Sequence, residues 1–148
     1  MKRRILLVDD DLAVLLTLKA VLELHEFEVE IAGSTAEAFT RMDTGTYHMV
    51  ISDLRMETEQ AGLEVIRAAQ RQSYAPATAL LTAFPPSDDY WTDGRRGTDH
   101  PDSLLVKPVG TRDLVRQIEA LLIRNADQQQ DRQRGRNPQT QTPKRSAG

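Results

Sequence analysis

Cysteine is absent from the chain, which excludes disulfides and thiolate chemistry and suits a reducing cytoplasm. No apolar run approaches the roughly 18 residues that a membrane-spanning helix needs. The basic start Met1-Lys2-Arg3-Arg4 is followed by a short aliphatic run and then acids, too little for a signal peptide. Histidine is scarce, and His25, His48 and His100 lack the spacing of metal ligands, so they read as ordinary residues. Aromatics are few. Tyr90 and the lone Trp91 read equally well as a partner anchor or as loop packing. The net charge of −3 is unevenly spread. Residues 125–148 carry five basic side chains against Asp127 and Asp131, a net +3, which leaves −6 on residues 1–124. An acidic body argues against direct DNA binding.

What the chain does have is three adjacent aspartates, Asp9-Asp10-Asp11, directly after the apolar run Ile5-Leu6-Leu7-Val8. Four aliphatics in a row read as a short buried strand. Carboxylates packed this closely repel one another, and a cation among them relieves the repulsion. Hard oxygen ligands favour Mg²⁺, Mn²⁺ or Ca²⁺ over zinc. Asp11 is also a good N-cap for a following helix, which accounts for one or two of the acids but not for all three.

Strand and helix patterns then alternate. Leu12–Leu24 has a helical apolar face, and Phe27–Ile31 alternates apolar and acidic like a strand with one wetter side. Ser34-Thr35-Ala36-Glu37 is a capping box that opens a second helix, which should end near Gly45. Tyr47–Ser52 is a third strand ending at Asp53, and a third helix follows Gly62. Ala77–Leu81 and Leu104–Val106 are strands four and five, reaching Thr82 and Lys107, and a last helix starts at Gly110 or Thr111. Repeated β-then-α units predict an α/β fold: a doubly wound, five-stranded parallel sheet with helices on both faces. Such sheets carry their sites at the carboxyl ends of the strands, and those ends are Asp9-Asp10, Asp53, Thr82 and Lys107. Taken singly, Thr82 also admits reading as a plain β-branched strand residue and Lys107 as a solvated charge, in each case the weaker of the two readings. The boundaries expected are a domain over residues 1–124 and a disordered, polar, basic tail over 125–148, whose first turns extend the last helix.

The motifs Ile5–Asp11, Val50-Ile51-Ser52-Asp53-Leu54-Arg55-Met56, Leu80-Leu81-Thr82-Ala83 and Val106-Lys107-Pro108, in that order, resemble the receiver domain of bacterial two-component response regulators over roughly residues 3–124. The resemblance implies the strand order 2-1-3-4-5. It implies Asp53 as the phosphoacceptor, with Thr82 and Lys107 contacting the phosphoryl group. It implies Mg²⁺ or Mn²⁺ held by Asp10 and Asp53, by Asp9 directly or through water, and by the Arg55 backbone carbonyl. Lys107 would pair with Asp53 before phosphorylation, Ala83 would leave room for the donor, and a cis Lys107-Pro108 peptide would aim the lysine. The partners implied are a sensor histidine kinase or histidine phosphotransfer protein and an unknown output protein. Homodimerisation is left open, and membrane insertion is not expected. The residues after 124 are too few and too polar to form an output domain.

Three features depart from the family pattern. Glu57 replaces the usual proline after Met56, and Gly62 comes one residue late, so Glu57 and Glu59 are expected to add negative charge beside the site. The segment from Thr82 to Lys107 holds Pro85, Pro86, Gly94, Gly97 and Pro101, so the fourth helix should be irregular. Leu104 stands where the family often has a switching aromatic, which points to a specialised output surface, with Tyr90 and Trp91 as candidate contacts. Arg55 and Phe84 occupy positions that influence water access in this family and imply slow self-dephosphorylation. Two alternatives stand beside this reading. One is a degenerate receiver acting as a phosphorylation-independent interaction module. The other is a haloacid-dehalogenase-like phosphatase using Asp9-x-Asp11, which would leave Asp53 unexplained and has Ala13 where that family has Thr or Val.

Overall fold

The computed structural model describes residues 2–83, 101–107 and 111–136. The expected fourth helix, Phe84, Tyr90, Trp91 and the Lys107-Pro108 peptide geometry lie outside these residues. Five parallel strands form one sheet: β1 (Arg4–Val8), β2 (Glu28–Ala32), β3 (Met49–Asp53), β4 (Ala77–Thr82) and β5 (Ser103–Val106). Their spatial order is β2-β1-β3-β4-β5, as the resemblance implied. The helices are α1 (Leu12–Leu24), α2 (Thr35–Thr44), α3 (Ala61–Gln70) and α4 (Thr111–Arg136).

Successive strand side chains point to opposite faces, and both faces are covered. Ile5, Leu7, Met49, Ile51, Ala79 and Leu81 pack with Leu15 and Leu22 of α1 and with Leu114, Ile118 and Leu122 of α4. Leu6, Val8 and Val50 pack on the other face with Ala38 and Met42 of α2 and Val65 and Ala69 of α3. This two-sided burial explains why β1 reads as an unbroken aliphatic run rather than as an alternating one. Leu104 is half-buried against Leu54, Leu63, Ile66 and Leu80, so a short aliphatic fills part of the core here.

Element ends differ from the sequence expectation in ways that local bonding explains. β2 starts one residue late, because the Phe27 N–H donates to the Leu22 carbonyl and closes α1. β3 starts at Met49, two residues later than expected, and Tyr47 ahead of it donates its hydroxyl to Glu30 Oε1 at 2.6 Å. The acidic residues of β2 meet Arg4 on the neighbouring strand: Arg4 pairs with Glu28 at 3.1 Å and also with Glu30, and its guanidinium lies 4.8 Å from the Tyr47 ring centre. In α2, Ser34 Oγ accepts from the Glu37 N–H at 3.1 Å, while Glu37 Oε1 accepts from the Gly33 N–H at 2.7 Å. The box therefore closes one residue further back than its usual form.

The last helix does not stop where the aliphatics do. It continues to Arg136. Asn125 and Gln129, one helical turn apart, both donate to the Ala75 carbonyl, at 3.0 and 2.8 Å. Ala75 itself has φ 45°, a left-handed conformation in the α3–β4 turn. The polar residues after 124 thus find a partner in the fold, and glutamine is a good helix former.

His48 Nδ1 accepts the Arg4 N–H at 2.9 Å, which requires that nitrogen to be unprotonated. Burial, then Arg3 and Arg4, holds its pKa below the ordinary value. The folded state therefore binds this proton less readily than the unfolded chain, whose value is about 6.5. The His48 contribution to stability is present above about pH 6.5 and is lost as pH falls below it. We expect His48→Gln to flatten the pH dependence of the melting temperature between about pH 5 and 7, followed by circular dichroism. Equal slopes for both proteins would refute this.

Candidate functional site

Four of the five strands, all but β2, deliver a chemical group at their carboxyl ends. Asp9 follows β1, Asp53 is the last residue of β3, Thr82 is the last of β4, and Lys107 follows β5. The register carries this through: Val8 pairs with Ser52, Asp53 with Leu81, and Thr82 with Val106. The Lys107 N–H donates to the Thr82 carbonyl at 2.8 Å, which extends the β4–β5 pairing into the site.

Asp9 is buried and Asp53 largely so, with 12% of its side chain exposed, while Asp10 is open to solvent. One carboxylate oxygen from each of the three lies within 4.8 Å of the others. Among the described residues this is the acidic group with the spacing of a metal site, and it contains no histidine. Lys107 Nζ bridges two of the acids, at 3.2 Å from Asp53 and 3.4 Å from Asp9. The bond to Asp9 was not anticipated from sequence, which pointed only to Asp53. Asp9 is further held by the Asp11 N–H, which donates to its Oδ1 at 3.0 Å.

The electrostatics follow from this packing. Burial raises the Asp53 carboxyl above its ordinary value and the neighbouring Asp9 charge adds to it, while Lys107 pulls the other way. Burial alone would lower Lys107, but the Asp53 hydrogen bond and the charges of Asp53 and Asp9 outweigh it and raise its pKa. The site is thus a crowded anionic pocket neutralised in part by one ammonium group. Hard oxygen donors with excess negative charge fit a small divalent cation.

Asp11 stands apart. Its Oδ1 accepts from the Ala13 and Val14 N–H groups at 3.0 and 3.4 Å, so it caps α1 as expected. Arg55 is exposed in the loop after β3, Thr82 is buried, and Ala83 is exposed beside the site.

The stretch after Asp53, from the loop into the start of α3, holds two features that the sequence did not disclose. Glu57 Oε2 accepts from the Thr35 N–H at 3.0 Å and from Thr35 Oγ1 at 3.3 Å, so its charge is directed to the start of α2. Burial pushes the Glu57 carboxyl up, but hydrogen bonds from its own backbone and from Thr35 outweigh this and hold it below its ordinary value. Gly62 is buried and its N–H donates to the Leu54 carbonyl at 2.9 Å. No sequence signal links Glu57 to Thr35, which are 22 residues apart and on different elements.

Both the sequence and the fold match known proteins. The family model described as the response regulator receiver domain matches residues 5–119. The transcriptional regulatory protein CpxR homolog of Haemophilus influenzae is 32% identical over 123 residues, covering 83% of this chain and 52% of that protein. The regulatory protein VanRB of Enterococcus faecalis is 34% identical over 125 residues, covering 84% of this chain and 54% of that protein. The chain therefore spans about half the length of these relatives. Among solved structures, a CheY-like response regulator receiver domain protein from Methanospirillum hungatei superposes with a TM-score of 0.76 at 25% identity, covering 86% of this chain and 99% of that one. Response regulator protein TrrA from Thermotoga maritima, solved in complex with Mg(2+)-BeF, gives 0.67 at 30% identity, covering 82% of this chain and 99% of that one. With more than half of its length matched by the family model, this chain belongs to the receiver domains of two-component response regulators.

Proposed function

We propose that this receiver takes a phosphoryl group onto Asp53 from a sensor histidine kinase or a histidine phosphotransfer protein. The observation that carries this is the Asp9–Asp10–Asp53 cluster, within 4.8 Å, with Lys107 bridging Asp9 and Asp53. An Asp53 carboxylate oxygen attacks phosphorus and forms the acyl phosphate. The bond from phosphorus to the donor imidazole nitrogen breaks, and the departing nitrogen keeps the electron pair. Lys107 releases Asp53 and turns its ammonium to a phosphoryl oxygen, while the Thr82 hydroxyl donates to another. Asp9, Asp10, Asp53 and the Arg55 carbonyl would hold Mg²⁺ or Mn²⁺, and TrrA, of the same fold, was solved with Mg²⁺. When bound, the ion supplies charge neutralisation for the transferring group. The phosphorylated and unphosphorylated forms then differ in affinity for an output protein, or the group is passed on. No helix among the described residues is long and apolar enough to cross a membrane. A cytoplasmic location suits the absence of cysteine.

The test is intact-protein mass spectrometry after incubation with Mg²⁺ and acetyl phosphate. A single phosphoryl adduct that disappears when Mg²⁺ is chelated supports the reading. An unmodified protein, with acetyl phosphate and with a panel of phosphorylated kinases alike, would favour the phosphorylation-independent module instead.

Lys107 has two opposed effects. Its ammonium competes with a cation for Asp9 and Asp53, yet it stabilises charge on the transferring group. We expect Lys107→Ala to tighten Mg²⁺ binding severalfold while slowing phosphorylation by about 10²-fold, the cost of removing one preorganised donor. Isothermal titration calorimetry and the rate of adduct formation separate the two. Weaker Mg²⁺ binding in this variant would contradict the assignment.

A further inference from the structure

We propose that Glu57 is a positioning residue for the cation site, acting by tying the loop after Asp53 to the first residue of α2. The inference rests on the Mg²⁺ reading above and goes beyond it, because Glu57 is not among the residues assigned to hold the ion. Two anchors bracket the backbone in question. On one side, the Leu54 N–H donates to the Leu81 carbonyl at 3.0 Å and the Leu54 carbonyl accepts from Gly62 at 2.9 Å. On the other, Glu57 Oε2 accepts from the Thr35 N–H and Oγ1 at 3.0 and 3.3 Å. Arg55 and Met56 are the two residues between the anchors, and the Met56 N–H is itself turned back onto the Thr58 carbonyl at 3.1 Å. Arg55 is the residue whose backbone carbonyl is assigned to the ion.

The tie is chemically apt. The first N–H groups of a helix have no partner within the helix, and Ser34 Oγ takes only the Glu37 N–H. Glu57 takes the Thr35 N–H with a full negative charge placed at the positive end of the helix dipole. A carboxylate in this position does two things. It fixes the loop that presents Arg55, and it is held by α2 instead of joining Asp9, Asp10 and Asp53 as a fourth acid. The arrangement belongs to this chain's own loop, in which a glutamate follows Met56 and an added residue precedes Gly62. Preorganising a ligand oxygen raises affinity by removing the ordering cost from the binding step.

Thr35→Pro separates positioning from charge. Proline is accepted at the first position of a helix and lacks the N–H that Glu57 needs. The preceding residue must be extended, and Ser34 already is, with φ −158° and ψ 166°. The variant therefore cuts the tie and leaves every charge in place. Mg²⁺ alone is titrated by calorimetry into the wild type and into Thr35→Pro, Glu57→Ala, Glu57→Gln and Asp53→Asn, with circular dichroism confirming the fold of each. We expect Thr35→Pro and Glu57→Ala to raise the Mg²⁺ dissociation constant by about two- to fivefold, on the scale of an anion at a helix N-terminus. Glu57→Gln, whose amide oxygen still accepts from Thr35, should stay closer to wild type. A Thr35→Pro protein that binds Mg²⁺ like wild type overturns the proposal, most clearly if Glu57→Gln and Glu57→Ala are weakened equally, since only long-range charge would then be at work. A wild type that binds no Mg²⁺, or binds it no better than Asp53→Asn does, overturns the site reading itself, and the proposal with it.

Discussion

Asp53→Asn is expected to reduce phosphoryl incorporation from acetyl phosphate to background, a loss on the order of 10³-fold or more, as for removal of a nucleophile elsewhere. The amide keeps the shape of the carboxylate but has no oxygen able to form an acyl phosphate. The fold should survive, and the reason is in the site. Lys107 also contacts Asp9 at 3.4 Å, so the buried Asp9 keeps a cationic partner when Asp53 is neutralised. Removing one of three crowded carboxylates relieves repulsion, so without divalent cations the variant should melt at or above the wild-type temperature. With Mg²⁺ the order should reverse. A ligand that binds only the native state stabilises it by about 2.7 kcal/mol at a hundredfold excess over its dissociation constant, and the variant has lost a ligand. The paired readout, mass spectrometry for the adduct and thermal melts with and without Mg²⁺, checks chemistry and cation together. An adduct that persists on Asp53→Asn and maps to another side chain would remove Asp53 from the role.

Much of this site was legible because its information is local. An aliphatic run giving way to a charged residue marks the end of β1, and the same grammar marks Asp53 at the end of β3 and Lys107 after β5. Parallel topology then brings these ends to one edge without any knowledge of contacts. What sequence did not disclose depends on pairs that only the fold creates. Glu57 and Thr35 meet across 22 residues, so a glutamate expected to load the site with charge is instead bonded to a helix start. Lys107 reaches Asp9 across 98 residues. The length of α4 was obscured for a related reason: the polar residues after 124 lack aliphatic periodicity, yet Asn125 and Gln129 close on a single carbonyl, Ala75, that no local pattern reveals. Periodicity reports buried apolar faces, and a helix end held by side-chain hydrogen bonds has none.

Gly62 also shows this difference, and its substitution should have the largest effect on the fold. A Cβ added there would lie 2.2 Å from the Asp53 carbonyl oxygen, 2.7 Å from the Leu54 Cα and 2.9 Å from the Asp53 carbonyl carbon. All three are backbone atoms, so no side-chain rotation relieves the clash. β3 cannot retreat easily, because it is paired with β1 on one side and β4 on the other. Nor can α3, whose Leu63, Val65, Ile66 and Ala69 are buried. Something must move, and either Asp53 leaves its place or α3 loses core contacts. Overpacking a well-filled interior costs about 1–3 kcal/mol, occasionally more, and this clash is with main chain. We expect Gly62→Ala to cost about 3 kcal/mol or more, a large share of a typical domain stability of about 5–15 kcal/mol. Whatever fraction stays folded should bind Mg²⁺ poorly and accept little phosphoryl group, since two of the three crowded atoms belong to Asp53 itself. Gly33→Ala is the matched control: its added Cβ would meet only the flexible Glu37 carboxylate, at 3.6 Å, and should be nearly neutral. Denaturant melts of the two variants against wild type decide the matter. A Gly62→Ala protein within about 1 kcal/mol of wild type, with unchanged Mg²⁺ affinity, would show that the strand end yields. The close approach of α3 to Asp53 would then not be what fixes the acceptor.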